Sequence, residues 1–206
     1  MLYYLIKVIS WFFFKFIFGL QVEGREHIPK KGSFILVANH SSVFDGFILV
    51  SSIKPKITFL SADYLFKKSF YGFILRGLRA IPVQRSGSDI AALKKSIKIL
   101  RYGGVLGIFP EGGIKKTGNH FSAKAGAAYL ALKTNVPIVP VVIEGADKVL
   151  PAGEKWPKFN IIKVKISHAM IVSDHGNISK KMTENIVNEY MKVINGGKRK
   201  RDDRID

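Results

Sequence analysis

Apolar and polar positions follow two different rhythms along this chain. Residues 1–20, MLYYLIKVISWFFFKFIFGL, are apolar at sixteen positions and are interrupted only by Lys7, Ser10, Lys15 and Gly19. Beyond Gln21, short apolar runs alternate with amphipathic segments. The runs at 33–38, 57–61, 80–84, 105–109 and 138–143 are β-rich and bounded by Gly, Pro or Asn, which predicts strands. Between them, 43–53, 64–78, 88–101 and 122–134 have helical period or propensity. A further strand is predicted at 161–167. An amphipathic helix is predicted near 179–194, where Met182, Ile186, Tyr190, Met191 and Ile194 fall into register. This alternation predicts an α/β domain with a mostly parallel central sheet flanked by helices. The expected organisation is a membrane-associating helix over 1–20, one domain over 21–196, and a basic, disordered tail over 197–206.

The first segment lacks a basic stretch before its apolar run and a small-residue cleavage site after it, so it does not read as a secretory signal. Its length would allow a membrane span of ~20 residues. Two lysines argue against one, since each costs about 2.5–3.5 kcal/mol at the bilayer centre. At about 100° per residue, Lys7, Ser10 and Lys15 share an arc of about 140° opposite a Phe/Trp/Leu face. This pattern predicts a helix lying in the membrane interface, its lysines snorkelling toward headgroups. The alternative is a helix buried in the core. Residues 64–79, YLFKKSFYGFILRGLR, mix aromatic and basic positions. They read either as a helix packed on the sheet or as a second lipid-facing surface or acyl-pocket wall.

Composition narrows the partners. The chain has 206 residues, with 33 Lys+Arg against 15 Asp+Glu, a formal charge of +18. Such a balance draws a protein toward anionic lipid, nucleic acid or an acidic partner. Apolar content of 47%, 12% of the residues being aromatic, excludes a disordered polyelectrolyte and favours the membrane surface over nucleic acid. The absence of cysteine removes disulfides, thiolate metal sites and a cysteine nucleophile. The five histidines include no pair at close helical ligand spacing, so no metal site is expected.

The first predicted strand runs into Asn39-His40-Ser41-Ser42-Val43-Phe44-Asp45, where the carboxyl ends of parallel strands build sites. His40 can serve as a general base near neutral pH, and a carboxylate can orient it. In one continuous helix His40 and Asp45 would lie about 140° apart, so contact between them requires a turn. Ser42-Val43-Phe44-Asp45 also fits a helix capping box with Asp in the place of Glu. Three further blocks follow: Ile81-Pro82-Val83-Gln84-Arg85, Phe109-Pro110-Glu111-Gly112 and Val136-Pro137-Ile138-Val139-Pro140-Val141.

Over roughly residues 20–145 these four blocks, in this order, resemble the 1-acylglycerol-3-phosphate acyltransferase family. The resemblance implies a membrane-bound enzyme that moves a fatty acyl group from a thioester donor, acyl-CoA or acyl carrier protein, to a lysolipid hydroxyl. No cofactor is implied. His40 would be the base and Asp45 its orienting partner, with a nearby backbone amide stabilising the oxyanion. Direct attack on the thioester is implied, although Ser41 and Ser42 leave a covalent route open. Arg85 would hold the acceptor phosphate, while Glu111 and Gly112 would shape its site. Asn39, Pro110 and Pro140 would support the motifs, and the proline-rich strand reads as structural.

Two positions depart from the family pattern. Ile114 stands where an Arg commonly follows the Phe-Pro-Glu-Gly block, and Ser61-Ala62-Asp63 stands where lysine is common. Lys115, Lys116 or Lys124 would have to compensate. The expected function is therefore acylation of lysophosphatidate to phosphatidate at the cytoplasmic face of the cell membrane, in contact with anionic lipids. Another lysolipid or hydroxylated acceptor is the alternative. A basic nucleic-acid-binding or inactive membrane-binding module explains the charge but not the ordered motifs.

Overall fold

A computed structural model describes residues 1–84, 89–114, 123–151, 153–154, 156–173 and 177–202, with side chains to Gly197. The chain opens with α1 (Leu2–Ile17), β1 (Gln21–Glu23) and β2 (Phe34–Ala38). Next come α2 (Asp45–Ser52), β3 (Ile57–Ala62), α3 (Asp63–Lys67), α4 (Ser69–Gly77) and β4 (Ile81–Val83). Then follow α5 (Ile90–Arg101), β5 (Val105–Ile108), α6 (Gly126–Thr134), β6 (Ile138–Glu144), α7 (Ala146–Val149), β7 (Lys163–Ile166) and α8 (Lys180–Asp202).

The strands form one sheet in the order β1-β7-β6-β2-β5-β3-β4. All neighbours are parallel except β6 and β7. Residues of β2 alternate between two cores, as a doubly covered strand must. Phe34, Leu36 and Ala38 face a layer built from α1, α2 and the end of α4, while Ile35 and Val37 face α5, α6 and α8. Proline is tolerated inside the central strand β6 because its missing N–H falls where the pairing is interrupted. The Pro140 carbonyl accepts from Ser167 N–H, and the register slips between the Ile138–Met170 bridge and the Val141–Ile166 pair.

Several expectations change in detail. The helix foreseen over 64–78 is broken at Lys68, whose backbone is extended (φ −79°, ψ 123°). Gly72 permits the break, because a Cβ there would stand 2.4 Å from the Phe66 carbonyl oxygen. Phe70, Tyr71 and Phe73 of α4 are exposed. Helix α8 continues to Asp202, through residues expected to form the disordered tail. The short strand β1 and helix α7 are too brief to leave a periodic pattern in the sequence.

Helix α1 corrects the expected orientation of one of its two lysines. Lys7 does not point away from the domain, whereas Lys15 stays exposed. Lys7 Nζ donates to the carbonyls of Ile53 (2.5 Å) and Lys54 (2.9 Å) at the end of α2, and Lys15 Nζ reaches the Leu20 carbonyl (3.4 Å). Burial, reinforced by the nearby Arg25 charge, lowers the Lys7 pKa. Ser10 is buried, as are Tyr3 and Phe14, and the Tyr3 hydroxyl accepts from Ile57 N–H (2.8 Å). Tyr4, Leu5, Val8, Ile9, Phe12 and Phe16 are exposed instead. The helix therefore docks through a mixed face, with Lys7 and Ser10 beside Tyr3, Phe14 and the partly buried Ile6 and Phe13, and presents a second, apolar face outward. No described helix is long and apolar enough to cross a membrane.

Candidate active site

The carboxyl ends of β2 and β5 bring the motif residues together. After Ala38 the chain leaves the sheet, and Asn39 fixes the exit. Its buried side chain donates to the Ile143 carbonyl and accepts from Ile143 N–H, both at 2.8 Å. This amide thus reproduces a pair of sheet hydrogen bonds between β2 and β6. The chain then turns through residues 40–44 before α2 begins, and the turn closes the angle that a continuous helix would impose. His40 Nδ1 lies 3.0 Å from Asp45 Oδ2.

The same carboxylate oxygen accepts from Ser41 N–H (2.6 Å) and Ser42 N–H (2.8 Å). The capping reading and the catalytic reading thus describe one carboxylate, although the box is incomplete. Ser42 Oγ donates to the Leu150 carbonyl (2.9 Å) and accepts from Phe44 N–H (3.3 Å). Asp45 is fully buried. Burial raises its pKa, opposed by the His40 imidazole and the two backbone donors. With Nδ1–H donating to Asp45, the tautomer assigned by this network leaves His40 Nε2 as the basic nitrogen. The His40 side chain is 19% exposed, enough for an acceptor to reach it.

Phe109 closes one side of the imidazole. The two rings stack with centroids 4.1 Å apart and 16° between their planes, and Phe59 stacks behind Phe109 at 5.8 Å. Periodicity could not single out Phe109 for this role, because any apolar residue ends a strand equally well. Glu111 is buried and accepts from His40 N–H through Oε2 (3.3 Å). This contact braces the turn at His40, where acceptor shaping alone was expected. Gly112 has φ +71°, and its N–H returns to the Phe109 carbonyl (3.0 Å). Lys124 lies over this turn: its N–H donates to the Pro110 carbonyl (2.9 Å), and a Cβ on Gly112 would stand 3.0 Å from Lys124 Cε. Among the described residues the Lys124 ammonium has no carboxylate or carbonyl partner.

The amides of residues 40–42 all point inward to Glu111 or Asp45. Phe44 and Asp45 N–H are held by Ser42. Val43 N–H is left without a partner among the described residues. Arg85, Lys115 and Lys116 lie outside the described residues. No group of three or more metal-ligating side chains occurs among the described residues.

Comparisons with known proteins agree with this geometry. The family profile described as Acyltransferase matches residues 19–144. The crystal structure of the 1-acyl-sn-glycerophosphate (LPA) acyltransferase PlsC from Thermotoga maritima superposes with a TM-score of 0.81 at 26% identity. The match covers 99% of this chain and 81% of that one. A 1-acyl-sn-glycerol-3-phosphate acyltransferase of Bacillus subtilis is 27% identical over 164 residues, 79% of each chain. A chloroplastic enzyme of the same name from Arabidopsis thaliana is 30% identical over 141 residues. That match takes in 67% of this chain and 39% of the longer plant protein. The matched span holds the His40–Asp45 pair, its Phe109–Glu111 support and the sheet that carries them, and the chain belongs to the Acyltransferase family.

Proposed function

We propose that this protein transfers a fatty acyl group from a thioester to the free hydroxyl of 1-acylglycerol-3-phosphate, making phosphatidate. The observation that carries the chemistry is the His40 Nδ1–Asp45 Oδ2 contact of 3.0 Å beneath a partly open imidazole. The acceptor identity is supported by the names of the relatives. In the reaction His40 Nε2 takes the hydroxyl proton as the acceptor oxygen attacks the thioester carbonyl carbon. The new C–O bond forms, the oxyanion collapses, the C–S bond breaks, and the imidazolium returns its proton to the departing thiolate. Asp45 stabilises the imidazolium in between, and Val43 N–H is the turn amide open to the oxyanion.

A phosphomonoester needs converging cations. Lys124, beside Gly112, supplies one where Ile114 replaces the family's arginine, with Arg85, Lys115 and Lys116 as its partners in sequence. The outward apolar face of α1, joined by Phe70, Tyr71 and Phe73, supports monotopic association with a bilayer. The cytoplasmic leaflet suits a chain of charge +18, since its anionic lipids attract basic surfaces.

Purified protein given several lysolipids should form phosphatidate from lysophosphatidate, followed by mass spectrometry of the products. His40→Ala should lower turnover by about 100- to 10,000-fold while the protein stays folded. Near-normal turnover in that variant would overturn the mechanism. Preference for an uncharged acceptor would keep the chemistry and replace the substrate.

A further inference from the structure

We propose that α5 is the docking surface for an acidic protein that delivers the acyl thioester. This inference rests on the thioester-dependent transfer proposed above. Helix α5 packs Ala92, Leu100 and the partly buried Leu93 and Ile97 into the core, and its outer face is basic. Lys94, Lys95, Lys98 and Arg101 are all exposed. At about 100° per residue, Lys94, Lys98 and Arg101 share an arc of about 60°. The exposed apolar residues Ile90 and Tyr102 stand at the two ends, about 18 Å apart along the helix. A single stripe of cations with apolar ends fits one acidic helix laid alongside it.

Among the described residues no carboxylate forms an ion pair with the stripe. Asp89 sits at the N-cap, where its carboxylate accepts from Ala92 N–H (2.9 Å) and Gln84 N–H (3.0 Å). Helix α6, packed beside α5, adds the exposed Lys133 and no carboxylate. At the other end, Ser33 Oγ donates to the Leu100 carbonyl, and the exposed Lys30 and Lys31 lie in the turn that leads to it.

The position of α5 decides between lipid and protein as the occupant. It lies on the sheet face opposite α1 and α4, so a molecule resting on a bilayer through α1 turns α5 away from the headgroups. Cations held in solvent, beyond about a Debye length of ~10 Å from the membrane, serve a soluble anion instead. The N-terminal end of α5 follows β4, whose carboxyl end lies on the same edge of the sheet as His40. A carrier docked there can extend its acyl thioester over that edge.

The test compares Lys94→Glu/Lys98→Glu/Arg101→Glu with the wild type on two donors, palmitoyl acyl carrier protein and palmitoyl-CoA. A milder Lys94→Gln/Lys98→Gln pair guards against misfolding. The expected result is a rise of about tenfold or more in KM for the carrier-borne donor, with KM for palmitoyl-CoA and co-sedimentation with phosphatidylglycerol vesicles unchanged. The milder pair should show a smaller rise in the same direction, and added salt should erase the difference. Equal effects on both donors, no effect on either, loss of vesicle binding, or a wild type that uses only palmitoyl-CoA would each overturn the assignment. Failure of transfer with both donors in the wild type would instead defeat the proposed function.

Discussion

The helices at the two ends of the described chain, α1 and α8, are both amphipathic, and they differ in what they leave outside. Helix α8 buries Tyr190 and Ile194 fully against the sheet and leaves its charged positions, such as Lys180 and Glu184, in solvent. Helix α1 buries Tyr3, Ser10 and Phe14 and ties Lys7 to the end of α2, yet leaves Leu5, Ile9, Phe12 and Phe16 outside. In water the second arrangement is unfavourable, since each exposed Phe or Leu forgoes about 1.5–3 kcal/mol of burial. It becomes favourable once another apolar phase covers that face. Helix α8 is folded for water alone, while α1 carries a face that the proposed monotopic association would cover.

Substitutions on the two helices should therefore separate stability from membrane binding. The largest effect is expected from Tyr190→Ala, which empties a fully buried aromatic site under α8. Unfolding in urea should show a loss of about 3–5 kcal/mol, with vesicle binding of the folded fraction unchanged. On α1 the reverse holds. Phe12→Ser/Phe16→Ser should weaken co-sedimentation with vesicles by about 100-fold, or ~3 kcal/mol, and shift Tm little. If that pair lowered Tm sharply and left vesicle binding intact, the outward face would be a protein interface. High salt should leave much of the wild type bound, because apolar burial is unscreened.

A smaller change tests the inward-turned Lys7. Lys7→Met removes the donor to the carbonyls that end α2 and should cost about 1 kcal/mol in chemical denaturation. If stability held and vesicle binding fell, the lysine would serve headgroups as the sequence alone suggests. The smallest effect is expected at Glu184→Gln on α8. It breaks an exposed pair with Lys180 at 3.7 Å and should change stability by less than about 0.5 kcal/mol.

The His40–Asp45 site contrasts with α1 in how directly it could be read. Its motif lies within six consecutive residues at a strand end, where local turn chemistry is enough to bring base and carboxylate together. The supports that make the pair rigid come from distant chain. Glu111 under the His40 amide, Phe109 across its ring, Leu150 on Ser42 and Ile143 on Asn39 are contacts across 69 to 108 residues. The Phe109–Gly112 block marks Glu111 only through its family resemblance, and no local pattern marks the contacts themselves, because a Glu beside a proline reads as an ordinary turn.

Periodicity and turn residues by themselves determined the α/β alternation and most strand positions, since side-chain period and backbone geometry are coupled residue by residue. They also determined that α1 has two unlike faces. Which face points inward was decided only by the tertiary structure. The open C-terminal carbonyls of α2 accept the Lys7 ammonium, and Ile57 N–H takes the Tyr3 hydroxyl as its acceptor. Those partners lie 46 and 54 residues away along the chain. A helical wheel records the spacing of side chains and contains nothing about the groups that will meet them, so the choice between two faces is made by packing.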